Sequence, residues 1–588
     1  MNTFAKAARA AVFFAAIAPA AAGVRADVDL NGSWEFRFEE GKSLDEAART
    51  DFLATDTMTV PGCYDTMPKW YLKRGTGLYR RTFTLESDVA AAWLTIDGMG
   101  LAGRFFLDGR ELGTVALPYS RFHLPAGALS KGTHTLVAAL DNRFDWRRLK
   151  LARAYYDFYL YGGFYHGVSL TFSRERLRVR TRDWRTGEVE VEVAGSESRP
   201  ADFDAMLVFD GTNEVKAAFR NRRATVRTPL FRLWSPDAPN LHTVALDGTS
   251  ARFGIRHIEA RDRKIWLNGK PIYLKGANRH EAHPACGAAT PETLMLQDIQ
   301  NLKALGGNFF RGAHYPQAQR FLDLCDEYGV LVWEETLGWG NGPRYNNGGR
   351  AEFDDRKFLE DNLAQAELMV DASFNHPCVV IFAFMNEFAS NTKKGRKIAD
   401  AIIGKIKSFD SGRLVTFACN CNSDDISNAN TDIISFNTYP GWIGSDPGGP
   451  ANLKRLFASN IGEIVKSHRK RHPDKPIVVS ETGTCGEYGR HDPAAAQWTE
   501  EFEAEYLTTA TETIFPNREI AGFALWQFAD CRSYHRAGSS VRVKPFAENL
   551  AGIYDGHRRA KTVVVEAVRK AFAGKEAGGG EAGKDGRR

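Results

Sequence analysis

The sequence has no apolar run long enough for a transmembrane helix, no run of basic residues and no cysteine spacing of the zinc-binding type. A membrane-spanning helix needs roughly 20 consecutive apolar residues. The formal net charge is only +5 over 588 residues, without a basic patch, so the composition argues against nucleic acid as a partner. We therefore expect neither a membrane protein nor a nucleic-acid-binding protein.

Cysteine is also scarce, with 8 residues that are scattered along the chain and never form a CxxC pair. Cys325, Cys378 and Cys419 lie inside apolar runs, which is typical of buried free thiols. Export of the chain would permit a disulfide, so the oxidation of a cysteine pair stays open. The sequence predicts no metal site and no cofactor.

The first residues have the pattern of a signal peptide. Lys6 and Arg9 precede an apolar run over 12–22, and small residues flank a cleavage position before Asp27. The expected location of the mature protein is periplasmic or secreted. Hydrophobic residues make up 43% of the chain, and this content and length indicate several domains.

Two β-rich regions are expected after the signal peptide. Short alternating strands with close Gly, Asn and Asp turns indicate a β-sandwich in residues 27–172, with a sugar-binding-like jelly roll as the expected form. A run of alternating Val and Glu over 189–193 indicates a smaller immunoglobulin-like sandwich over 173–259.

The hydrophobic period then changes, and short apolar strands alternate with helices over 260–573. Eight strands are predicted, namely Pro271–Leu274, Asn308–Arg311, Val330–Trp333, Val379–Phe384, Leu414–Ala418, Asp432–Asn437, Pro476–Ser480 and Gly522–Phe528. This series fits a (β/α)8 TIM barrel, and its weak point is the polar connection 420–431, which shows no clear helix. The Gly-, Lys- and Glu-rich segment 574–588 is predicted to be a disordered tail.

Polar residues follow most of these predicted strands, at the end where a TIM barrel carries its active site. Glu387 follows the fourth strand and Glu481 the seventh. Paired carboxylates, roughly 5 Å apart in retaining enzymes, are what glycoside hydrolysis requires, one as nucleophile and one as acid and base. Arg311 and Tyr439 are expected to keep the nucleophile ionised, Asn386 to bind the sugar 2-hydroxyl, and Trp526 to offer a flat floor for a sugar ring.

Seven stretches of the chain resemble glycoside hydrolase family two, the β-galactosidase and β-glucuronidase group. They are DFYLYGGFYHGVSL (157–170), LNGKPIYLKGANRHE (267–281), GGNFFRGAHYP (306–316), NHPCVVIFAFMNE (375–387), SFNTYPGW (435–442), KPIVVSETG (475–483) and LWQFAD (525–530). The resemblance implies that Glu387 is the acid/base, that Glu481 is the nucleophile, and that Asp157 reaches the sugar from the first domain. The complete predicted set of substrate-binding residues is Asp157, His280, Arg311, His314, Asn386, Asn437, Tyr439, Trp526 and Asn549.

One departure from the family affects the choice of substrate. Members that take uronic acids carry an Asn-x-Lys motif whose lysine binds the sugar carboxylate, and this chain has Asn549 but Ala551 in place of that lysine. The arginine upstream in many glucuronidases has no secure counterpart either. A β-galactosidase is therefore the favoured reading, with a β-glucuronidase or galacturonidase as the alternative. Lys544, Arg558 or Arg559 would have to supply the charge in that case.

Two other interpretations compete with an exo-acting retaining β-glycosidase. One is a carbohydrate-binding protein that has kept the fold without the activity, and the other is a structural β-sandwich protein with an incidental barrel. The presence of both Glu387 and Glu481 favours the enzyme, since a binding protein has no need of both carboxylates. The expected partner is an oligosaccharide or glycoside substrate, and the sequence leaves open whether the chain forms a homo-oligomer.

Overall fold

The structure, a computed structural model, describes residues 28–49, 51–151, 158–196, 198–343, 352–410, 412–445, 447–534 and 544–574. The predicted signal peptide, Asp157 and the segment 575–588 lie outside these residues. The roles assigned to them, and export itself, stay predictions.

The first region is a sandwich of two antiparallel sheets. In spatial order, one sheet consists of Val28–Asp29, Val168–Thr171, Val89–Ile96 and Phe122–Leu129, and the other of Asp56–Val60, Gly32–Glu39, Thr76–Leu85, Gly132–Asp141, Ala102–Leu107 and Arg110–Val115. Alternate side chains of these strands point inward, and aromatic rings fill the space between the sheets. Trp34, for example, packs on Phe164 with ring centroids 5.6 Å apart.

The second region is a smaller sandwich. Its sheets consist of Arg176–Asp183, Glu188–Ala194 and Arg223–Arg227, and of Asn213–Phe219, Phe203–Phe209, His242–Leu246 and Thr249–Phe253. The alternating Val and Glu residues form the predicted strand, and Val189, Val191 and Val193 are all buried in the core between the sheets.

The third region is a closed parallel barrel. Its strands are Leu274–Arg279, Phe309–Gly312, Leu331–Glu335, Val379–Ala383, Leu414–Thr416 continued by Ala418–Cys419, Ile434–Asn437, Ile477–Thr482 and Ile520–Leu525. The eighth strand pairs with the first, and the two halves of the fifth strand pair with the fourth and the sixth. Every residue of the fourth strand is buried, as its unbroken apolar run predicts. The predicted architecture of two β-sandwiches and a TIM barrel is thus confirmed.

Helices cover the outside of the barrel. They are Glu292–Ala304, Gln319–Tyr328, Arg356–Ala372, Lys393–Phe409, Pro450–Arg471, Glu500–Ile514 and Thr562–Phe572. The second of these ends at Gly329, whose φ is 68° and whose Cβ, if it had one, would lie 2.3 Å from the carbonyl oxygen of Pro236. Only glycine fits that left-handed and crowded position.

The structure corrects the predicted start of the barrel. Lys270–Ile272 pairs antiparallel with Lys264–Leu267 in a small sheet outside the barrel, and the first barrel strand is Leu274–Arg279. The apolar run at 271–274 was assigned to the wrong sheet because a short strand pattern does not reveal its partner. The weak connection after the fifth strand contains one 3-10 turn, Asn422–Asp424, in agreement with its polar sequence.

Seven of the eight cysteines are buried, among them Cys325, Cys378 and Cys419, whose burial was predicted from the apolar runs around them. Within the described residues, no helix combines the length and the apolar character that crossing a membrane requires.

Candidate active site

The polar residues of interest converge at the C-terminal ends of the barrel strands. Arg311 lies within the second strand, Asn437 ends the sixth, and Glu481 lies near the end of the seventh. Glu387 and Trp526 follow the fourth and eighth strands. Parallel strands that close into a barrel bring all these ends to one rim, so residues far apart in sequence become neighbours.

Glu481 is held by two donors. The Tyr439 hydroxyl donates to Oε2 at 2.6 Å, and the Arg311 guanidinium donates to Oε1 at 2.5 Å. The side chain of Glu481 is 4% exposed, so these charge-assisted bonds act in a poorly solvated environment. Both contacts are the ones expected from the sequence.

Glu387 is also held at both carboxylate oxygens. Asn437 Nδ2 donates to Oε1 at 2.8 Å, and Asn420 Nδ2 donates to Oε2 at 2.9 Å. The backbone of Glu387 has a left-handed φ of 54°, a conformation that costs energy for a residue with a side chain and is often found at functional sites. Its amide donates to the carbonyl of Ala418 at 2.9 Å, which ties this turn to the second half of the fifth strand.

Arg311 is the central cation of the site and is fully buried. Besides Glu481, it donates to Glu335 at 2.8 Å, to Asn278 Oδ1 at 2.7 Å and to Asn386 Oδ1 at 2.9 Å. Burial alone would raise the pKa of Glu335, but Arg311 and His314 lower it below its ordinary value. Two carboxylates therefore share one guanidinium at the floor of the site.

The orientation of Asn386 follows from these bonds. Its Oδ1 accepts from Arg311 and, at 3.2 Å, from Asn437 Nδ2. Its Nδ2 is buried and has no hydrogen-bond partner among the described residues. A buried donor without a partner is costly, so Asn386 offers a fixed amide donor to a ligand hydroxyl.

Two histidines line the wall next to Trp526. The His314 ring stacks on the Trp526 ring, with centroids 5.5 Å apart and planes 13° apart, and the His280 ring stands perpendicular to Trp526 at 5.5 Å. Burial, followed by His314 and Arg311, lowers the pKa of His280 well below its ordinary value, so this imidazole is neutral. Nε2 of each histidine is buried and makes no hydrogen bond within the described part of the chain, although His314 Nε2 lies 3.8 Å from Glu481 Oε1. Both nitrogens are available to hydrogen-bond a ligand.

The first sandwich also reaches the site. Phe158 packs against His280 with ring centroids 4.8 Å apart and against His314 at 5.6 Å. Asp157 precedes this residue in the sequence but lies outside the described residues, so its predicted contact with the sugar stays untested.

Asn549 lies beside a lysine that the family motif did not place there. With its amide oxygen turned toward the available donors, Asn549 accepts from Lys544 Nζ at 2.6 Å and from Trp526 Nε1 at 3.2 Å. Lys544 is only 6% exposed, and its ammonium lies 5.4 Å from the centroid of the Trp442 ring. A buried ammonium thus lies at the same wall as Trp526 and the histidines.

The other two candidate cations form ion pairs away from this wall. Arg558 bonds to Asp298 at 2.8 Å behind the barrel wall, and Arg559 bonds to Asp555 at 2.6 Å with more than half of its side chain exposed. Ala551, which stands where the family lysine would be, is buried at 1% exposure.

Three further polar residues contact the site. Asn278 and Glu335, which the sequence places after the first and third predicted strands without an assigned role, bind Arg311. Asn420, which sequence reasoning missed, binds Glu387 from the end of the fifth strand. Asn420 comes two residues after the predicted fifth strand, and this position at the C-terminal end of a barrel strand is the signal that could have found it. Asn420 was missed because the connection that begins with it is polar and shows no periodic pattern.

Among the described residues, one group of three could offer ligand atoms to a metal: Asp326, His376 and Cys378. It lies before the fourth strand, at the opposite end of the barrel. His376 Nδ1 already bonds to Asp326 at 2.6 Å, and the Cys378 amide donates to the same carboxylate at 2.9 Å. This group therefore stabilises the fold and is separate from the rim.

The buried carboxyl group of Glu334 allows a test of how burial makes the stability of the protein depend on pH. It is fully buried at the end of the third strand, and desolvation raises its pKa to about 7. Its contribution to the free energy of unfolding is fully present below its ordinary value of 4.5 and is lost as the pH rises to about 7. The glutamine of Glu334→Gln does not titrate. Relative to the wild type, the free energy of unfolding of this variant should therefore increase by about 1.4 kcal/mol per pH unit between these two pKa values.

Urea unfolding at pH 5, 6, 7 and 8 would measure this difference for Glu334→Gln. The exposed substitution Glu360→Gln serves as the control and should show no such trend. A constant difference between Glu334→Gln and the wild type across pH 5 to 7 would contradict the raised pKa.

Comparisons with known proteins agree with this architecture. The model of the glycosyl hydrolases family 2 TIM barrel domain matches residues 258–571. The β-glucuronidase of Chlorocebus aethiops is 27% identical over 438 residues, which cover 70% of this chain and 64% of that protein. Human β-glucuronidase is 27% identical over 434 residues, covering 69% and 63%. The chain thus spans less than two thirds of the length of these curated relatives.

Solved structures match over more of their length. A GH2 β-galacturonidase from Eisenbergiella tayi bound to galacturonate has a TM-score of 0.80 and 26% identity, covering 94% of this chain and 97% of that one. A β-glucuronidase from Faecalibacterium prausnitzii has a TM-score of 0.82 and 24% identity, covering 95% and 99%. The family model covers more than half of the 588 residues, and the chain therefore belongs to glycosyl hydrolases family 2.

Proposed function

We propose that the protein is a retaining exo-β-glycosidase whose substrates are β-linked uronides. Glu481 is the nucleophile and Glu387 the acid/base in this proposal. The pairing is supported by their positions at the ends of the seventh and fourth strands and by the different donors that hold each carboxylate.

The proposed reaction takes place in two displacements. In the first, Glu481 attacks the anomeric carbon while Glu387 gives its proton to the glycosidic oxygen, so that the aglycone leaves and a glycosyl ester forms. In the second, Glu387 takes a proton from water, the water oxygen attacks the same carbon, and Glu481 is released. Two inversions at one carbon retain the β configuration.

The neighbours of the carboxylates have distinct tasks in this scheme. Tyr439 and Arg311 orient Glu481 toward the anomeric carbon. Asn386 presents its unpartnered Nδ2 to the sugar 2-hydroxyl, a contact that strengthens toward the oxocarbenium-like transition state.

The position of Lys544 is the main observation that supports a uronide as the substrate. The sequence favoured a galactoside because Ala551 replaces the family lysine, but the buried ammonium of Lys544 binds Asn549 from another direction. An ammonium binds a carboxylate through charge-assisted hydrogen bonds, and at this wall it can receive the carboxylate of a uronide. The similarity to relatives named β-glucuronidase and β-galacturonidase supports the same choice.

Initial rates on aryl β-glucuronide, galacturonide, galactoside, glucoside and mannoside test the proposal. A charge-assisted contact of about 2 kcal/mol predicts that kcat/KM for the preferred uronide exceeds that for the galactoside by roughly 30-fold. A galactoside with the larger kcat/KM would return the assignment to the β-galactosidase reading. No turnover of any of the five substrates at any pH would instead favour a carbohydrate-binding protein.

A further inference from the structure

A cavity of about 200 Å³ lies where the three domains meet, at the end of the barrel opposite the proposed active site. Its walls include Arg121 and His123 from the first sandwich, Arg174 and Arg176 from the start of the second, and Asp371 from a barrel helix. Residues 374–376 also line it, and they precede the fourth strand, whereas Glu387 follows that strand. A strand of five residues spans about 17 Å, so the cavity and the carboxylate pair are separate.

Two of the arginines that line the cavity are neutralised by nearby carboxylates. Arg121 Nε lies 2.9 Å from Asp97. Arg252 lies 2.5 Å from Asp323 and 2.6 Å from Glu327, and Arg320 shares both of these carboxylates, so that two arginines face two acids. These pairs leave no excess charge.

Arg174, which precedes the first strand of the second sandwich, and Arg176 and Arg178 at the start of that strand are different. Arg176 Nη2 donates to Asp371 Oδ1 at 2.6 Å, and Arg178 Nε donates to the same carboxylate oxygen at 3.1 Å. Glu192, which lies 3.5 Å from Arg178, is shared with Arg223. Arg174 makes no ion pair with a described residue, and its buried Nε has no hydrogen-bond partner there. Three guanidinium groups thus face essentially one carboxylate.

The two histidines at the cavity do not change this excess of positive charge. His376 bonds to Asp326 at 2.6 Å, and together they form a neutral pair when the imidazole is protonated. Burial, together with Arg121, Arg174 and Arg176, lowers the pKa of His123 to about 3, which leaves its imidazole neutral. The three arginines thus add to the effect of burial on His123.

We propose that this three-domain cavity binds a small dianionic oxyanion of the phosphate or sulfate class. Arg174 would be its principal ligand, with Arg176 and Arg178 as further donors. A tetrahedral oxyanion satisfies the unpartnered Nε of Arg174 and balances the two excess positive charges, and guanidinium groups suit its geometry. The occupant would link the second sandwich to the barrel helix that carries Asp371.

Isothermal titration of the full chain with sodium phosphate and with sodium sulfate tests this site. Sodium chloride at matched ionic strength is the reference titrant. The expected result is saturable binding of one oxyanion per chain, which Arg174→Gln weakens on the order of tenfold or more because it removes a charge-assisted contact. The two titrations distinguish phosphate from sulfate as the preferred ion.

Arg185→Gln, an exposed arginine of the same domain, is the matched control and should bind like the wild type. Arg174→Lys keeps the charge without the planar fork and should show intermediate affinity; it decides the question if Arg174→Gln fails to fold. Heats that chloride reproduces, or equal affinity in the wild type and both Arg174 variants, would overturn the proposal. Hydrolysis of aryl glycosides should be unchanged in the Arg174 variants, so the result does not depend on the proposed enzyme function.

Discussion

Glu481→Ala should lower kcat by about 10⁴-fold or more on every substrate that the wild type hydrolyses, because it removes the group that forms the covalent intermediate. Glu387→Ala should be impaired in a way that depends on the leaving group. An aryl group with an acidic phenol leaves without protonation, whereas a poor leaving group needs the proton of Glu387. Rates on two aryl glycosides of different phenol acidity would measure this contrast.

Added azide distinguishes the two roles by stereochemistry. In Glu387→Ala the glycosyl ester on Glu481 still forms, and azide attacks it to give a β-glycosyl azide. In Glu481→Ala the azide replaces the nucleophile and attacks the substrate itself, so the product is the α-azide. The opposite pattern of products would show that the two carboxylates have exchanged roles.

A control is needed because both glutamates are bound to their neighbours. Glu360→Gln, on an exposed helix surface, should leave kcat unchanged. The thermal unfolding midpoint of each active-site variant should be compared with that of the wild type. A loss of activity that tracks a loss of folded protein would not support the proposed chemistry.

Much of the barrel and of its polar rim was predictable from sequence because both depend on local patterns. The buried fourth strand has an unbroken apolar run, and Glu387 follows it directly. The contacts of Tyr439 and Arg311 with Glu481 follow from strand order, since parallel strands bring their ends to one rim.

The features that were missed depend on contacts between distant segments. Lys270–Ile272 has the composition of a barrel strand, and only its pairing with Lys264–Leu267 excludes it from the barrel. Asn420 lies in a polar connection whose direction no periodicity indicates, yet its amide reaches Glu387. Tertiary packing decides such cases, and local propensity does not.

The position of Lys544 shows the same limit at the level of specificity. A motif comparison asks which residue stands at position 551 and finds alanine. The fold, however, determines which cation lies beside Asn549 and Trp526. Lys544 does so from outside the motif. A missing motif residue therefore does not establish a missing charge.

Lys544→Met should change substrate preference more than it changes catalysis. The wild-type ammonium is buried beside Asn549, so a uronide carboxylate bound there would lose its partner in the variant. Leaving one partner of a buried charge pair unpaired costs several kcal/mol, and kcat/KM on the uronide should fall on the order of 100-fold. A galactoside has no carboxylate, and its kcat/KM should change by less than about threefold.

The ratio of the two kcat/KM values is the informative quantity, because it cancels any general loss of active enzyme. A methionine fills nearly the volume of the lysine chain beside Trp442, so a collapsed wall would depress both substrates together. Arg559→Gln removes an exposed cation that binds Asp555 and should leave the ratio unchanged. An unaltered ratio in Lys544→Met would show that the carboxylate is bound elsewhere. A selective loss on the uronide would instead locate its recognition at a lysine outside the family motif.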